Sequence, residues 1–209
     1  MSKVDTDIEC LRAPSDQDAK EAVCTLIRWI GDDPKREGLT NTAEKVLSNY
    51  KKFFSGYHQD LSQIFAGVLE ANTGMNDIVM LRGIKFTSFC EHHMLPFEGH
   101  VDIAYIPTNG ILGFDRISQL VDCFANRLQI QERMTNQIAE ALYANIKSNG
   151  VAVSIKAHHK CMSMIGSKKE FVEVYTEKML GSFESNNNLK DKFLTLISRK
   201  LKNGVKDEV

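Results

Sequence analysis

The 209-residue sequence has no apolar run of membrane-spanning length, no internal repeat and no low-complexity tract. It also has almost no net charge, because 26 Lys and Arg stand against 27 Asp and Glu. That balance gives no support for binding nucleic acid or other polyanions as a bulk property. Cysteine is sparse and odd in number: Cys10, Cys24, Cys90, Cys123 and Cys161 are widely scattered. With no secretory pattern ahead of them, these five argue against a disulfide framework; the expectation is a reducing, cytoplasmic compartment without a membrane anchor. The length suits one substantial core, or at most two small domains.

The apolar pattern predicts the elements. Residues 1–14 read as a flexible N-terminal arm, residues 15–74 as a helical region, and residues 75–209 as the main domain with a C-terminal helix. Ser15 with Asp18 predicts a cap for a helix over 16–30, and a second helix spans 42–54 before Gly56. A short third helix is expected over 61–65. Two short strands follow at 78–81 and 84–89, and a half-buried one at 101–105. Helical spacing from 115 to 147 is too long for one helix, so a break is placed at 128–131, with Asn149-Gly150 as the end. Strands at 151–157 and 171–176, an Asn186–Asn188 linker and a helix over 189–201 complete the chain. The order predicts an α+β fold: an antiparallel four-stranded sheet with helices on one face and an N-terminal helical region. Its open edges predict a ring-forming oligomer.

Against this plain background, Ser88-Phe-Cys-Glu-His-His-Met-Leu-Pro96 concentrates a thiol, a carboxylate and two imidazoles in four positions. In an extended chain Cys90 and His93 would face opposite ways, so sharing one metal ion requires a turn between them. A second cluster, His158-His-Lys-Cys161, offers a further thiol; as a strand it would put His159 and Cys161 on one face. A lone cysteine or histidine is ordinarily a core or hydrogen-bonded residue. Two such clusters together favour metal. Cys90, His93 and Cys161 would be a Cys2His set with one open position, the pattern of catalytic zinc. His92 and His159 would then be free imidazoles beside it, suited to proton transfer.

Three separated motifs, Cys90-Glu-His-His-Met-Leu-Pro-Phe, Leu128-Gln-Ile-Gln-Glu-Arg-Met-Thr and His159-Lys-Cys-Met-Ser-Met, together resemble the GTP cyclohydrolase I family. The likeness runs from about Asp16 to Leu201 and includes Asp33-Pro-Lys-Arg-Glu-Gly-Leu and Phe193-Leu-Thr-Leu-Ile. The resemblance implies the tunnelling fold, a homodecamer of two pentameric rings, and conversion of GTP to formate and 7,8-dihydroneopterin triphosphate, the first step towards tetrahydrofolate and biopterin. It implies zinc on Cys90, His93 and Cys161, proton transfer by His92 and His159, and guanine reading by Gln131 and Glu132. Without the family, Glu132 would read as an ion pair with Arg127 or Arg133.

The likeness thins where the triphosphate and ribose should sit. Leu112-Gly-Phe-Asp115-Arg116 stands where the family has Leu-Gly-Leu-Ser-Lys; Gln119 and Ile165 replace Arg, and Thr42-Ala-Glu-Lys45 replaces Thr-Pro-x-Arg. One charge-assisted hydrogen bond is worth roughly 1.5–3 kcal/mol, so losing two arginines and gaining Asp115 is a large change unless compensated. Lys168 or Lys169 is the expected compensation, whereas His158 and Lys160 should face another surface. The alternatives are a related zinc hydrolase of a guanine derivative with fewer phosphates, and a non-catalytic ring that binds a pterin or purine. Retention of both His92 and His159 weighs against the last.

Overall fold

The computed structural model describes residues 14–70, 77–108, 110–165 and 172–199. The expected arm therefore lies outside the described residues apart from Pro14, and so do Lys168 and Lys169. The chain forms two compact units that divide after Lys52.

In the first unit, α1 (Asp16–Trp29) starts on the capping box anticipated from Ser15 and Asp18. The hydrogen bonds from Ser15 hold the Asp18 carboxyl below its ordinary pKa. Arg28 sits in the last turn, where a cation meets the negative end of the helix dipole. The helix α2 (Thr42–Phe53) follows, tied to α1 by Lys20–Glu44 and Lys51–Asp16 pairs at 2.6 Å.

The second unit opens with a 3-10 turn over Ser55–His58, α3 (Leu61–Phe65) and β1 (Val68–Glu70). Then come β2 (Val79–Cys90), β3 (Pro96–Pro107), β4 (Gly110–Leu112), α4 (Phe114–Ala125), β5 (Leu128–Gln129) and α5 (Gln131–Asn145). It closes with β6 (Ser148–His159), α6 (Lys160–Met164), β7 (Glu173–Gly181), α7 (Ser182–Ser185) and α8 (Asn187–Ser198). The main sheet has the order β5-β2-β3-β6-β7, and β1 pairs separately with β4. Neighbouring strands among β2, β3, β6 and β7 pair antiparallel, as expected, but the sheet has a fifth member because β5 joins β2 in parallel through Phe89–Leu128 and Cys90–Gln129.

Several elements differ from the sequence expectation for identifiable reasons. The two short strands near residue 80 are one strand, β2, carrying a bulge between Leu81 and Ile84. Gly83 adopts φ 72° there, and the buried Asp102 carboxylate accepts its N–H at 2.8 Å. The expected half-buried β3 is covered on both faces. Val101, Ile103 and Tyr105 pack with α4 and α5 residues such as Leu120, Phe124 and Ile138. Ala104 and Ile106 face the opposite way and pack with Phe183, Phe193 and Ile197 of α7 and α8. Helices thus lie on both faces of the sheet, against the expected single face. Asn149-Gly150 does not end a helix; both residues lie in β6. Asn186 is no linker: its side chain caps α8, accepting from the Asn188 and Leu189 N–H groups.

The centre of the sheet is tight enough to specify residues. A Cβ on Gly99 of β3 would lie 1.9 Å from the Lys156 carbonyl oxygen and 2.7 Å from the Ala157 Cα. Overpacking of this kind costs about 1–3 kcal/mol or more. The Gly99→Ala variant is expected to lose at least about 2 kcal/mol of stability in urea denaturation; an unchanged midpoint would contradict this packing.

A candidate metal centre at the ends of three strands

Cys90 ends β2, and the chain reverses at once into β3. The Met94 N–H donates to the Cys90 carbonyl at 2.8 Å, and the Cys90 N–H donates to that of Leu95 at 2.9 Å. Met94 takes φ 53°, the left-handed conformation that such a tight reversal uses. This is the turn that Cys90 and His93 needed in order to face one another, and their Sγ and Nδ1 atoms are 3.9 Å apart.

Cys161 arrives by a different route from the one expected. Strand β6 stops at His159, and Cys161 lies on the short helix α6. The helical turn, rather than strand parity, brings its thiol to the hairpin. Ligand atoms of Cys90, His93 and Cys161 all lie within 4.8 Å of one another. For tetrahedral bonds of about 2.3 Å to sulfur and 2.0–2.1 Å to nitrogen, ligand atoms stand about 3.5–3.8 Å apart, so the cluster is close to a closed metal geometry. Among the described residues no fourth Cys, His, Asp or Glu joins it. Burial, then the neighbouring Cys90 thiol, push the Cys161 pKa upward. Two thiols this close resist a second negative charge unless a cation is shared between them. His92 does not belong to the group of three, although its Nδ1 is 3.7 Å from the Cys90 sulfur.

His159 sits beside this cluster, stacked on Phe97 at 4.5 Å with the rings 2° from parallel. Strand pairing places these two residues directly opposite one another. Gln131, the first residue of α5, is 1% exposed. Its side-chain nitrogen donates to the Ile155 and Val174 carbonyls and to Thr176 Oγ1 at 3.0–3.2 Å. Those acceptors orient the amide, so its oxygen must be the atom 2.9 Å from His159 Nε2. A carbonyl oxygen only accepts; His159 therefore carries its proton on Nε2 and leaves Nδ1 as the basic nitrogen. Burial is the largest influence on His159 and lowers its pKa; Glu132 acts in the opposite direction, and His158 lowers it further. The Gln131 side chain is thus engaged with protein at both ends, through its nitrogen with β6 and β7 and through its oxygen with His159.

Glu132 is exposed, and neither arginine that could have neutralised it does so. Arg127 donates to the Cys123 carbonyl at 2.8 Å, and Arg133 pairs with Glu91. The remaining sequence candidates lie elsewhere. Arg116 and Gln119 line a cavity of about 400 Å³ with His58, Asp60 and Asp122, a lining that includes none of the metal-cluster residues. Arg116 also contacts Gln119 Oε1 at 3.3 Å and Asp115 at 3.9 Å. Lys45 belongs to the first compact unit. Ile165 follows α6 and is 47% exposed. Lys160, which lies on α6 rather than on the expected strand, pairs with Glu98 at 3.3 Å, and His158 contacts the Val172 carbonyl at 3.2 Å. Sequence reading missed Phe97 and the true partners of Gln131. The Phe97–His159 register was the one signal available for the first; nothing local announces the second.

Fold and site together define an α+β protein with a Cys2His cluster able to hold a metal beside a second imidazole. Comparison with known proteins is more specific. The GTP cyclohydrolase I family model matches residues 19–198. GTP cyclohydrolase 1 of Rickettsia bellii is 47% identical over 190 residues, covering 91% of this chain and 99% of that protein. The Rickettsia felis protein of the same name is 46% identical over 187 residues, with 90% and 98% covered, and that of Rickettsia typhi 44% over 190 residues, with 91% and 100% covered. The chain belongs to the GTP cyclohydrolase I family.

If Cys161 is a metal ligand, Cys161→Ala purified beside the wild type will lose the bound metal, falling from about one ion per chain to near none by elemental analysis. Undiminished metal content would remove Cys161 from the cluster's function.

Proposed function

We propose that this protein is a zinc-dependent GTP cyclohydrolase I that opens the guanine imidazole ring at C8, releasing formate and forming 7,8-dihydroneopterin triphosphate. The observation that carries this reading is the convergence of Cys90, His93 and Cys161 in a chain of this family. Two thiolates and an imidazole suit zinc and disfavour hard, oxygen-seeking cations. When bound, zinc supplies Lewis acidity and water activated near neutral pH.

The side chains account for binding and proton movement. The Glu132 carboxylate accepts from guanine N1–H and the 2-amino group, a donor pair that adenine lacks. His92 holds the proton exchanged at N7 as the ring opens. His159, with Nε2–H fixed on Gln131, offers Nδ1 as the acceptor for later proton traffic, and its lowered pKa keeps that nitrogen free at pH 7. Gln131 acts here by setting the tautomer.

The substrate tail we assign to Arg116, with Asp115 and Gln119 beside it and Lys45 and Ile165 as further candidates. Within one chain, the Arg116 cavity and the metal cluster share no lining residue. That separation supports a site completed between copies, in the tunnelling-fold ring, a decamer of two pentamers, that the family resemblance implies.

One observation favours a second reading, a guanine substrate with fewer phosphates. The Arg116 cavity contains Asp60 and Asp122, so its single arginine faces two carboxylates. Formate release and the fluorescence of the oxidised pterin, measured with GTP, GDP, GMP and guanosine, decide between them. The main reading expects the highest kcat/KM for GTP; a higher value for GMP or guanosine would replace it. Installing Gln119→Arg with Ile165→Arg is expected to lower KM for GTP by about tenfold or more, at roughly 1.5–3 kcal/mol for each charge-assisted bond. A KM that does not move would show that the phosphate clamp was never thinned at these positions.

A further inference from the structure

Glu91 lies in sequence between the candidate ligand Cys90 and the imidazole His92. Its carboxylate is paired with the Arg133 guanidinium on the first turn of α5. Its backbone N–H donates to the Gln129 carbonyl at 3.0 Å. Arg133 is held in turn, because its Nε lies 3.3 Å from Gln129 Oε1. Gln129 is 2% exposed, and its side-chain nitrogen donates to the Phe124 carbonyl and to Gln137 Oε1 at 3.0 and 2.9 Å. Those acceptors orient the amide, so its oxygen faces Arg133. A buried, oriented amide therefore aims a guanidinium at the carboxylate of the metal-bearing turn.

Stability does not explain this arrangement. The Arg133 and Glu91 side chains remain 42% and 34% exposed. An ion pair that open to solvent contributes about 0–1 kcal/mol. Its location is more telling: it joins the turn that carries Cys90, His92 and His93 to the helical turn that carries Gln131 and Glu132.

We infer that Arg133 is a positioning residue. By gripping Glu91 it holds the Cys90–His93 turn in register with α5, which sets where the His93 ligand nitrogen and the His92 imidazole stand relative to the Glu132 carboxylate. Arg133 itself touches neither metal nor base. Only the turnover part of this inference rests on the proposed cyclohydrolase reaction.

The test titrates Co2+ into metal-free protein, following thiolate-to-metal charge-transfer absorbance, and measures GTP turnover by the zinc-loaded protein. Outer-shell partners of metal ligands typically change metal affinity or activity by about ten- to a hundredfold. Arg133→Met is expected to weaken Co2+ binding and lower kcat by about that factor. Its KM for GTP should stay within about threefold, because base recognition is left to Glu132, and its Tm within about 4 °C, because the pair is exposed. Arg133→Lys keeps a cation for Glu91 and is expected to recover most of the Co2+ affinity. Glu91→Gln, which removes the charge with almost no change of shape, should reproduce the loss and serves if Arg133→Met fails to fold. Co2+ affinity in Arg133→Met and Glu91→Gln equal to that of the wild type would overturn the proposal. Absence of GTP turnover in the wild type would instead sink the assigned reaction, and the Co2+ comparison would still decide the role of Arg133.

Discussion

Two thiols separated by 70 residues of chain have to stand within reach of one another and of an imidazole, and the second unit is arranged so that they do. The neighbouring strands β2 and β6 end, and β3 begins, at the same end of the sheet. The β2–β3 reversal delivers Cys90 and His93, and the β6–α6 junction delivers His159 and Cys161. Strand β3, buried on both faces from Val101 onward, lies between the two contributors and sets their spacing through an unbroken register from Phe97–His159 down to Ile106–Gly150. Near one another the thiols are electrostatically unfavourable as two anions; burial first, and the Cys90 thiol second, raise the pKa of Cys161. A shared divalent cation reverses the sign of that interaction. The fold therefore holds in place a set of groups whose charge is best satisfied by a metal.

The N-terminal turn of α5 is the second organising element. Gln131 reaches inward to β6, β7 and His159, Glu132 faces solvent unpaired among the described residues, and Arg133 reaches across to Glu91. Three consecutive side chains thus point to three different surroundings. The two-residue strand β5 makes this possible, because its parallel pairing with Phe89 and Cys90 carries the chain past the metal turn immediately before the helix begins.

The members of the Cys-His cluster were legible in the sequence, and only part of its geometry was. Cys90, His93 and Cys161 stand out because thiols and imidazoles are rare and clustered. The turn that unites the first two was also foreseeable from the spacing. The route by which Cys161 joins them was not, since the five residues after β6 could continue the strand or coil with equal local plausibility, and they coil as α6. The bulge at Gly83 read as a gap between strands because its stabilising partner, Asp102, lies on the neighbouring strand. The three-asparagine run read as a linker because Asn serves loops and helix caps alike, and only the packing of Phe193 and Ile197 selects the cap. Gln131 was picked out by family likeness, yet the acceptors that direct its amide come from β6 and β7, 24 to 45 residues away. Strand β5 is defined wholly by its partner and has no pattern of its own.

X-ray absorption at the zinc edge of the purified protein would examine the central claim most directly. The account predicts two sulfur scatterers at about 2.3 Å and two nitrogen or oxygen scatterers at about 2.0–2.1 Å, one from His93 and one from solvent. A shell of oxygen and nitrogen alone, or one with three or more sulfurs, would contradict it.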